Sequence, residues 1–189
     1  KSAAIEILGK ITAHKNKETP PAVLSLFQIT LGDKNPDVRN AATKALKKVA
    51  ARVNKEILPA ILSLLQITLG DKDKQVHCSA MEALKKVAAH ANKETLPTIL
   101  SLLQIDLGNE HSWTHRIAVE ALGKIVIKAN KEALPIVLNL LQTALSDKEN
   151  YHFFYIAIEA LGNIAAQPNK ETLSIILSIL QTAALANRG

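Results

Sequence analysis

The chain has 189 residues, of which 48% are hydrophobic and 3% are aromatic, and its formal net charge is +6. This hydrophobic content is enough for a packed core, while no apolar run reaches the roughly 20 residues that a transmembrane helix requires, so we expect no membrane partner. A single cysteine, Cys78, excludes an intramolecular disulfide framework and predicts a reducing, cytoplasmic (intracellular) location.

An internal repeat runs through the whole sequence. The tripeptide Asn-Lys-Glu begins at positions 16, 54, 92, 130 and 169, so its intervals are 38, 38, 38 and 39 residues. A glutamine (28, 66, 104, 142, 181) and a leucine (8, 46, 84, 122, 161) keep the same intervals. A period of this length indicates a helical solenoid in which each unit packs only against its neighbours.

The period predicts the elements in chain order. A lone second helix over residues 1–15 comes first, four two-helix units follow, and a lone first helix over 170–187 comes last, which makes about ten helices in one domain over residues 1–189. The four full units are 18–53, 56–91, 94–129 and 132–167. Because both lone helices keep the apolar pattern of the internal ones instead of a polar cap, we expect the chain to be a fragment of a longer protein.

The second full unit shows why two helices are predicted in each repeat. From about Glu56 to Leu69 the apolar residues follow helical spacing, and Pro59 stands near the start, where a missing backbone donor costs least. A polar loop leads to a second helix, about Gln75 to Ala91, whose core side is rich in alanine. Small side chains let helices approach closely, and stacked units bury the apolar faces that one unit alone would expose.

The order of these segments resembles the HEAT family of helical repeats. The resemblance lies in LPAILSLLQITLGD (Leu58–Asp71) and PDVRNAATKALKKVA (Pro36–Ala50): a leucine-rich first helix, an Asp-bearing turn, Val-Arg, and an Ala-Leu second helix. It implies an all-α, right-handed α-α superhelix with a concave face lined by the second helices. The Val-Arg pair occurs as Val38-Arg39 and is replaced in the later units, so the residues for an Asp–Arg ladder between units are incomplete.

The turns carry recurring polar residues that have a structural explanation. Each turn between the two helices of a unit holds an acid or an amide at the same place, where we expect it to cap the second helix. These residues are Asp33, Asp71, Asn109 and Asp147. Asn54 and its counterparts suit either the turn before the first helix or its N-cap position.

Other polar residues also give no sign of catalysis. Glutamate and lysine lie four residues apart on the second helices, as in Glu82 with Lys86 and Glu120 with Lys124, and these spacings predict surface ion pairs. The sequence has no nucleophilic triad, phosphate-binding loop or paired-cysteine metal motif. We therefore predict no enzyme activity and no cofactor.

The aromatic residues depart from the repeat. Five of the six lie at the start of the second helix in the third and fourth full units, and three histidines accompany them. They are Trp113, Tyr151, Phe153, Phe154 and Tyr155, with His111, His115 and His152. Aromatic enrichment at one edge is typical of a binding hot spot, whereas the alternative is that the phenylalanines fill a gap made by the one extra residue. We predict no metal at these histidines, because loop geometry and unit spacing disfavour a ligand set.

These patterns predict a protein–protein interaction scaffold. Its partner, another protein or a peptide, would contact the concave face and the aromatic edge, and the oligomeric state stays open. The residues assigned to this site are Trp113, His115, Arg116, Tyr151, His152, Tyr155, Glu120, Glu159, Lys44, Lys47 and Lys85. The resemblance also implies Arg39 and Glu82 as exposed positions of the concave face.

The alternative is a nucleic-acid-binding protein. Basic residues on the second helices could form a band that meets phosphates, namely Lys44, Lys47, Lys48, Arg52, Lys85, Lys86, Lys124 and Lys128. Glutamates interrupt this band and no aromatic residue interleaves it, which favours a solvated face. Helical stacking is also similar to that of the HEAT-like DNA glycosylases, but no acidic residue stands apart beside Trp113 as their chemistry suggests. The irregular third and fourth units argue against an artificial consensus array.

Overall fold

The computed structural model describes residues 21–107, 112–126, 133–145, 151–166 and 170–186. These residues form α-helices joined by turns, without any strand among them, as the all-α prediction requires. The helices are α1 (Pro21–Leu31), α2 (Pro36–Ala50), α3 (Leu58–Leu69), α4 (Lys74–Ala88), α5 (Leu96–Leu107), α6 (Ser112–Val126), α7 (Leu134–Leu145), α8 (Tyr151–Ala165) and α9 (Lys170–Ala186). The helix predicted over residues 1–15 lies outside the described residues. Within the described part of the chain, no helix has both the length and the apolarity needed to cross a membrane.

The chain divides into two compact units, which we call unit 1 (Lys1–His90) and unit 2 (Ala91–Gly189). In unit 1 the second helices α2 and α4 pack together, and so do the first helices α1 and α3. Unit 2 repeats the arrangement, with α6 against α8, α5 against α7, and α9 against both α7 and α8. The boundary falls between the second and third predicted repeats, and the single array over residues 1–189 stays a prediction.

The first helices begin later than their apolar pattern indicates. Helix α3 starts at Leu58, because the residues after Asn54 form a turn in which the Asn54 side chain accepts the Ile57 N–H at 3.1 Å. In the next repeat the Asn92 side chain accepts the Glu94 and Thr95 N–H groups at 3.0 Å each. The predicted place of the asparagine in this turn is therefore confirmed, and the turn accounts for the late start.

The second helices are capped by residues other than the predicted ones. The side chain of Asn35 accepts the Asp37 N–H at the start of α2, and Asp73 caps α4 in the same way. Asp33 and Asp71, which we expected to be caps, instead accept the N–H of the capping residue, at 2.8 and 2.9 Å. The prediction was wrong by two residues because the helix begins only after this extra turn; Asn109 and Asp147 lie outside the described residues.

The core side of the second helices is lined by alanine, as predicted. Ala42, Ala80, Ala118 and Ala157 are fully buried at equivalent positions of α2, α4, α6 and α8. Helix α4 ends at Ala88, three residues before the predicted end, and the N–H of Ala89 bonds back to Lys86 and Val87 carbonyls. Small residues at the contact permit close packing of neighbouring second helices.

Two glycines inside the second helices of unit 2 provide a test of local stability. A methyl group added at Gly162 would meet no atom within 4 Å, and one added at Gly123 would meet only Ala160 Cβ at 4.0 Å. Because glycine in a helix interior costs about 0.5–1 kcal/mol relative to alanine, we expect Gly162→Ala to raise the free energy of unfolding by about that amount in urea denaturation.

The control for this substitution is Gly70→Ala. Gly70 lies beyond the last residue of α3 and has open space for a methyl group at ordinary contact distance, 3.6 Å from the nearest carbonyl oxygen. If Gly70→Ala raised the free energy of unfolding as much as Gly162→Ala, or if Gly162→Ala lowered it, the assignment of the effect to helix propensity would be contradicted.

Candidate binding faces on the second helices

Hydrogen bonds between α2 and α4 define how the second helices of unit 1 align. Asn40 Nδ2 donates to Gln75 Oε1 at 2.8 Å, and Ser79 Oγ donates to Asn40 Oδ1 at 3.4 Å. Asn40 therefore lies between two residues that are one turn apart on α4. Residues 38 apart in sequence consequently lie side by side on the two helices.

Arg39 and Asp71 form an ion pair between consecutive repeats. Arg39 Nε lies 2.6 Å from Asp71 Oδ2, Arg39 Nη2 lies 3.0 Å from Asp71 Oδ1, and Arg39 Nη1 donates to the Asp33 carbonyl at 2.9 Å. The hydrogen bond between the two side chains holds the pKa of the Asp71 carboxyl below its usual value and raises the pKa of Arg39. The Arg39 side chain is 19% exposed and the Asp71 side chain is 10% exposed, so the ion pair is largely shielded from solvent.

This pair corrects the role expected for Arg39. The resemblance implied an exposed position on the binding face, whereas the guanidinium joins two repeats. It is one rung of an inter-repeat Asp–Arg ladder. The next repeats have His77 and His115 in place of the arginine, so the sequence does not supply the same rung again.

The lysines predicted for the binding site share the outward face of unit 1. Lys44 is exposed, and Lys47 and Lys85 are half-buried. The alignment of the helices places Lys47 beside Lys85 and Lys44 beside Glu82. Glu82 pairs with Lys85 at 3.2 Å, three residues away, instead of with Lys86 as the spacing suggested.

Unit 2 presents a different face on α6 and α8. Arg116 Nη1 lies 2.7 Å from Glu120 Oε1, and this pair replaces the predicted one between Glu120 and Lys124. Tyr155 occupies the same repeat position on α8 as Arg116 on α6 and is 71% exposed. Glu159, also exposed, occupies the same repeat position as Glu120, so Arg116, Glu120, Tyr155 and Glu159 form two pairs of equivalent positions on these neighbouring helices.

The remaining predicted site residues lie at the starts of these helices. His115 is half-buried in α6. Trp113 belongs to the first turn of α6, and Tyr151 and His152 to the first turn of α8, but their side chains lie outside the described part of the structure. The aromatic edge therefore stays a prediction, and Tyr155 is the one of its five aromatic residues whose side chain the structure describes.

The prediction of no metal site concerns three histidines of unit 2, His111, His115 and His152. The described residues contain no group of three or more His, Cys, Asp or Glu side chains placed to hold a metal ion. His111 and the side chain of His152, two of the three histidines considered, lie outside the described residues.

Two features escaped the sequence analysis. Ile29 and Ile67 on the first helices of unit 1, and Ile105 on α5 of unit 2, are 72%, 53% and 61% exposed. The sequence offered a sign of these isoleucines, because each directly follows the glutamine that recurs at 38-residue intervals. The exposed face of the first helices is thus less polar than that of the second helices.

The other missed feature is a carboxyl group buried in α5. Thr30 and Thr68 are buried and donate to backbone carbonyls one turn earlier, at 2.8 Å to Leu26 and 3.0 Å to Leu65. Asp106 stands at the same repeat position and is 2% exposed. An alignment of the repeats reveals that Asp106 replaces the threonine of the earlier units. That the Asp106 side chain is buried could be learned only from the structure.

Known proteins with similar sequences and folds agree with a helical-repeat architecture. The family Cnd1, non-SMC mitotic condensation complex subunit 1, matches residues 1–158. A designed armadillo repeat protein in complex with the peptide (KR)4 is similar in structure, with a TM-score of 0.74 and 23% identity, over 98% of this chain and 82% of that one. No curated protein matches this sequence.

Two further solved structures show the same likeness. Computationally designed armadillo repeat proteins for modular peptide recognition superpose with a TM-score of 0.67 and 22% identity, over 95% of this chain and 92% of theirs. An engineered protein superposes with a TM-score of 0.62 and 19% identity, over 97% and 94% of the two chains. The predicted fold, a repeat solenoid of the HEAT-like and armadillo-like class, is thereby confirmed.

Proposed function

This chain belongs to the Cnd1 family, non-SMC mitotic condensation complex subunit 1, and on that premise we propose that it is a scaffold that binds another protein of such a complex. The contact surface is the face of α6 and α8 in unit 2. The observation that carries the proposal is Tyr155, which is 71% exposed on α8 at the repeat position of Arg116.

The composition of this face supports a protein partner. Tyrosine and arginine are enriched among the residues that dominate binding energy, because both offer a large flat surface together with hydrogen-bond donors. Glu120 and Glu159 flank them and would form a polar rim around Tyr155. The similar solved structures include proteins designed for modular peptide recognition, so the same fold is compatible with a peptide-binding or protein-binding face.

Removal of the tyrosine ring tests the proposal. We expect Tyr155→Ala to weaken binding to the purified remaining subunits of the complex about 30-fold, which corresponds to about 2 kcal/mol for a buried hot-spot aromatic. Isothermal titration calorimetry with wild-type protein and variant gives the two dissociation constants.

The matched control is Gln66→Ala, which truncates an exposed side chain on the first helix α3. We expect this variant to bind like the wild type. Unchanged affinity in Tyr155→Ala, or a loss only in Gln66→Ala, would contradict the assignment of the partner to the second helices of unit 2.

A further inference from the structure

A basic face in unit 1 shares no residue with the surface used in the proposed function. It follows the exposed stripe of α2 and α4, and we call it the lysine face. Its members are Lys44, Lys47 and Lys48 on α2 and Lys85 and Lys86 on α4. Glu82 is the acidic residue within this stripe, and it is paired with Lys85.

The lysines of α2 form no ion pair within the described part of the chain. Among the described residues, no carboxylate lies within salt-bridge distance of Lys44, Lys47 or Lys48. Lys44 and Lys48 are exposed and one turn apart on α2, a spacing at which like charges repel by a few tenths of a kcal/mol. An acidic partner would remove this repulsion.

Stabilisation of the helix C-termini explains why some, but not all, lysines of the lysine face occur where they do. Lys47, Lys48, Lys85 and Lys86 lie in the last turns of their helices, where positive charge complements the helix dipole. Lys44 lies one turn earlier, beyond the reach of that effect, and its counterpart in the next repeat is Glu82. Lys44 lies beside Glu82, but the Glu82 carboxylate pairs with Lys85, so the helix dipole and this neighbour leave the Lys44 ammonium group without an ion pair among the described residues.

The spacing of the two helices suits an extended peptide. Lys48 lies beside Lys86 and Lys47 beside Lys85, and packed helices are about 8–10 Å apart. A polyproline II segment rises about 3.1 Å per residue with three residues per turn, so side chains three residues apart point the same way at a separation of about 9 Å. Acidic residues at every third position would reach the lysines of both helices.

Nucleic acid fits this face less well. Single-stranded nucleic acid is held by basic residues together with aromatic side chains on which the bases stack. The sole aromatic residue in the sequence of unit 1 is Phe27, which is fully buried. Glu82 within the stripe would also repel a continuous phosphate backbone, whereas a peptide with spaced charges avoids it.

We propose that the lysine face binds an acidic peptide segment that crosses α2 and α4 in an extended conformation, with acidic residues three apart. The site lies in unit 1 and uses none of the residues of the Tyr155 face. Its test is therefore independent of the test with Tyr155→Ala.

A labelled synthetic peptide tests this site directly. The probe is Glu-Pro-Ser repeated three times, titrated with the full chain by fluorescence anisotropy at low and at physiological salt. We expect binding that weakens with salt, and a dissociation constant about tenfold higher for the double variant Lys44→Glu, Lys48→Glu, since two exposed ion pairs of up to about 1 kcal/mol each are lost.

A double variant with the same change in net charge is the control. Lys34 and Lys72 are exposed in equivalent turns of unit 1, and Lys34→Glu, Lys72→Glu should bind the peptide within twofold of the wild type. Thermal unfolding of both double variants verifies that they are folded. A thymidine 12-mer and a Lys-Pro-Ser peptide serve as competing probes, and neither is expected to bind as tightly as the acidic peptide.

Three outcomes would overturn the proposal. One is no saturable binding of the acidic peptide to the wild type. Another is an equal loss in both double variants, which would indicate an effect of net charge alone. The third is tighter binding of the thymidine 12-mer that depends on Lys44 and Lys48, which would assign the lysine face to nucleic acid.

Discussion

Replacing Phe27 by alanine is expected to lower the free energy of unfolding by about 3–5 kcal/mol. Phe27 lies in α1 and is completely buried, and its removal would leave a cavity that the neighbouring helices cannot fully close. Urea denaturation followed by circular dichroism measures the difference. The expected loss is a large fraction of the total stability of a domain, which is only about 5–15 kcal/mol.

The repeat supplies the control for this prediction. The positions equivalent to Phe27 are Leu65 and Leu103, which are also buried, so Phe27→Leu introduces the residue that the other repeats accommodate. We expect it to cost about 1–1.5 kcal/mol. Equal losses of stability in the two variants, or a loss below about 3 kcal/mol in Phe27→Ala, would show that the ring does not fill a tightly packed site.

The substitution Asp71→Asn is expected to lower the free energy of unfolding by about 1–2 kcal/mol at neutral pH. Asparagine retains an oxygen for the Asp73 N–H but loses the charge-assisted hydrogen bonds to Arg39, which contribute more than neutral ones. The exposed residue Asp37, in the first turn of α2, provides the control variant Asp37→Asn, for which we expect a smaller loss.

The pH dependence distinguishes this ion pair from a simple packing effect. The pKa of Asp71 in the folded protein lies below 3.8, the ordinary value for an aspartate side chain, so its charged form stabilises the fold fully above about that pH. This contribution declines as the pH falls through the folded-state pKa. The difference between wild type and Asp71→Asn should therefore shrink in acid, and a difference that stays constant from pH 7 to pH 3 would contradict the ion-pair explanation.

The sequence by itself determined the fold class and the repeat. The 38-residue interval, the proline near the start of α3 and the helical spacing of apolar residues are local properties, so they predict helices without knowledge of how those helices pack. The same holds for Asn54, whose side chain bonds to a backbone N–H only three residues away. Such short-range interactions depend on residue type and spacing alone.

The tertiary structure alone decided which outward side chains meet. Arg39 and Asp71 are 32 residues apart in sequence, and their contact depends on the axial alignment of α2 with the following repeat. For the same reason, the exposure of Lys44 in unit 1 and of Tyr155 in unit 2 is known only from the structure. A repeat pattern gives equivalent positions, but exposure and partner choice depend on helix rotation and separation, which arise only when the helices pack together.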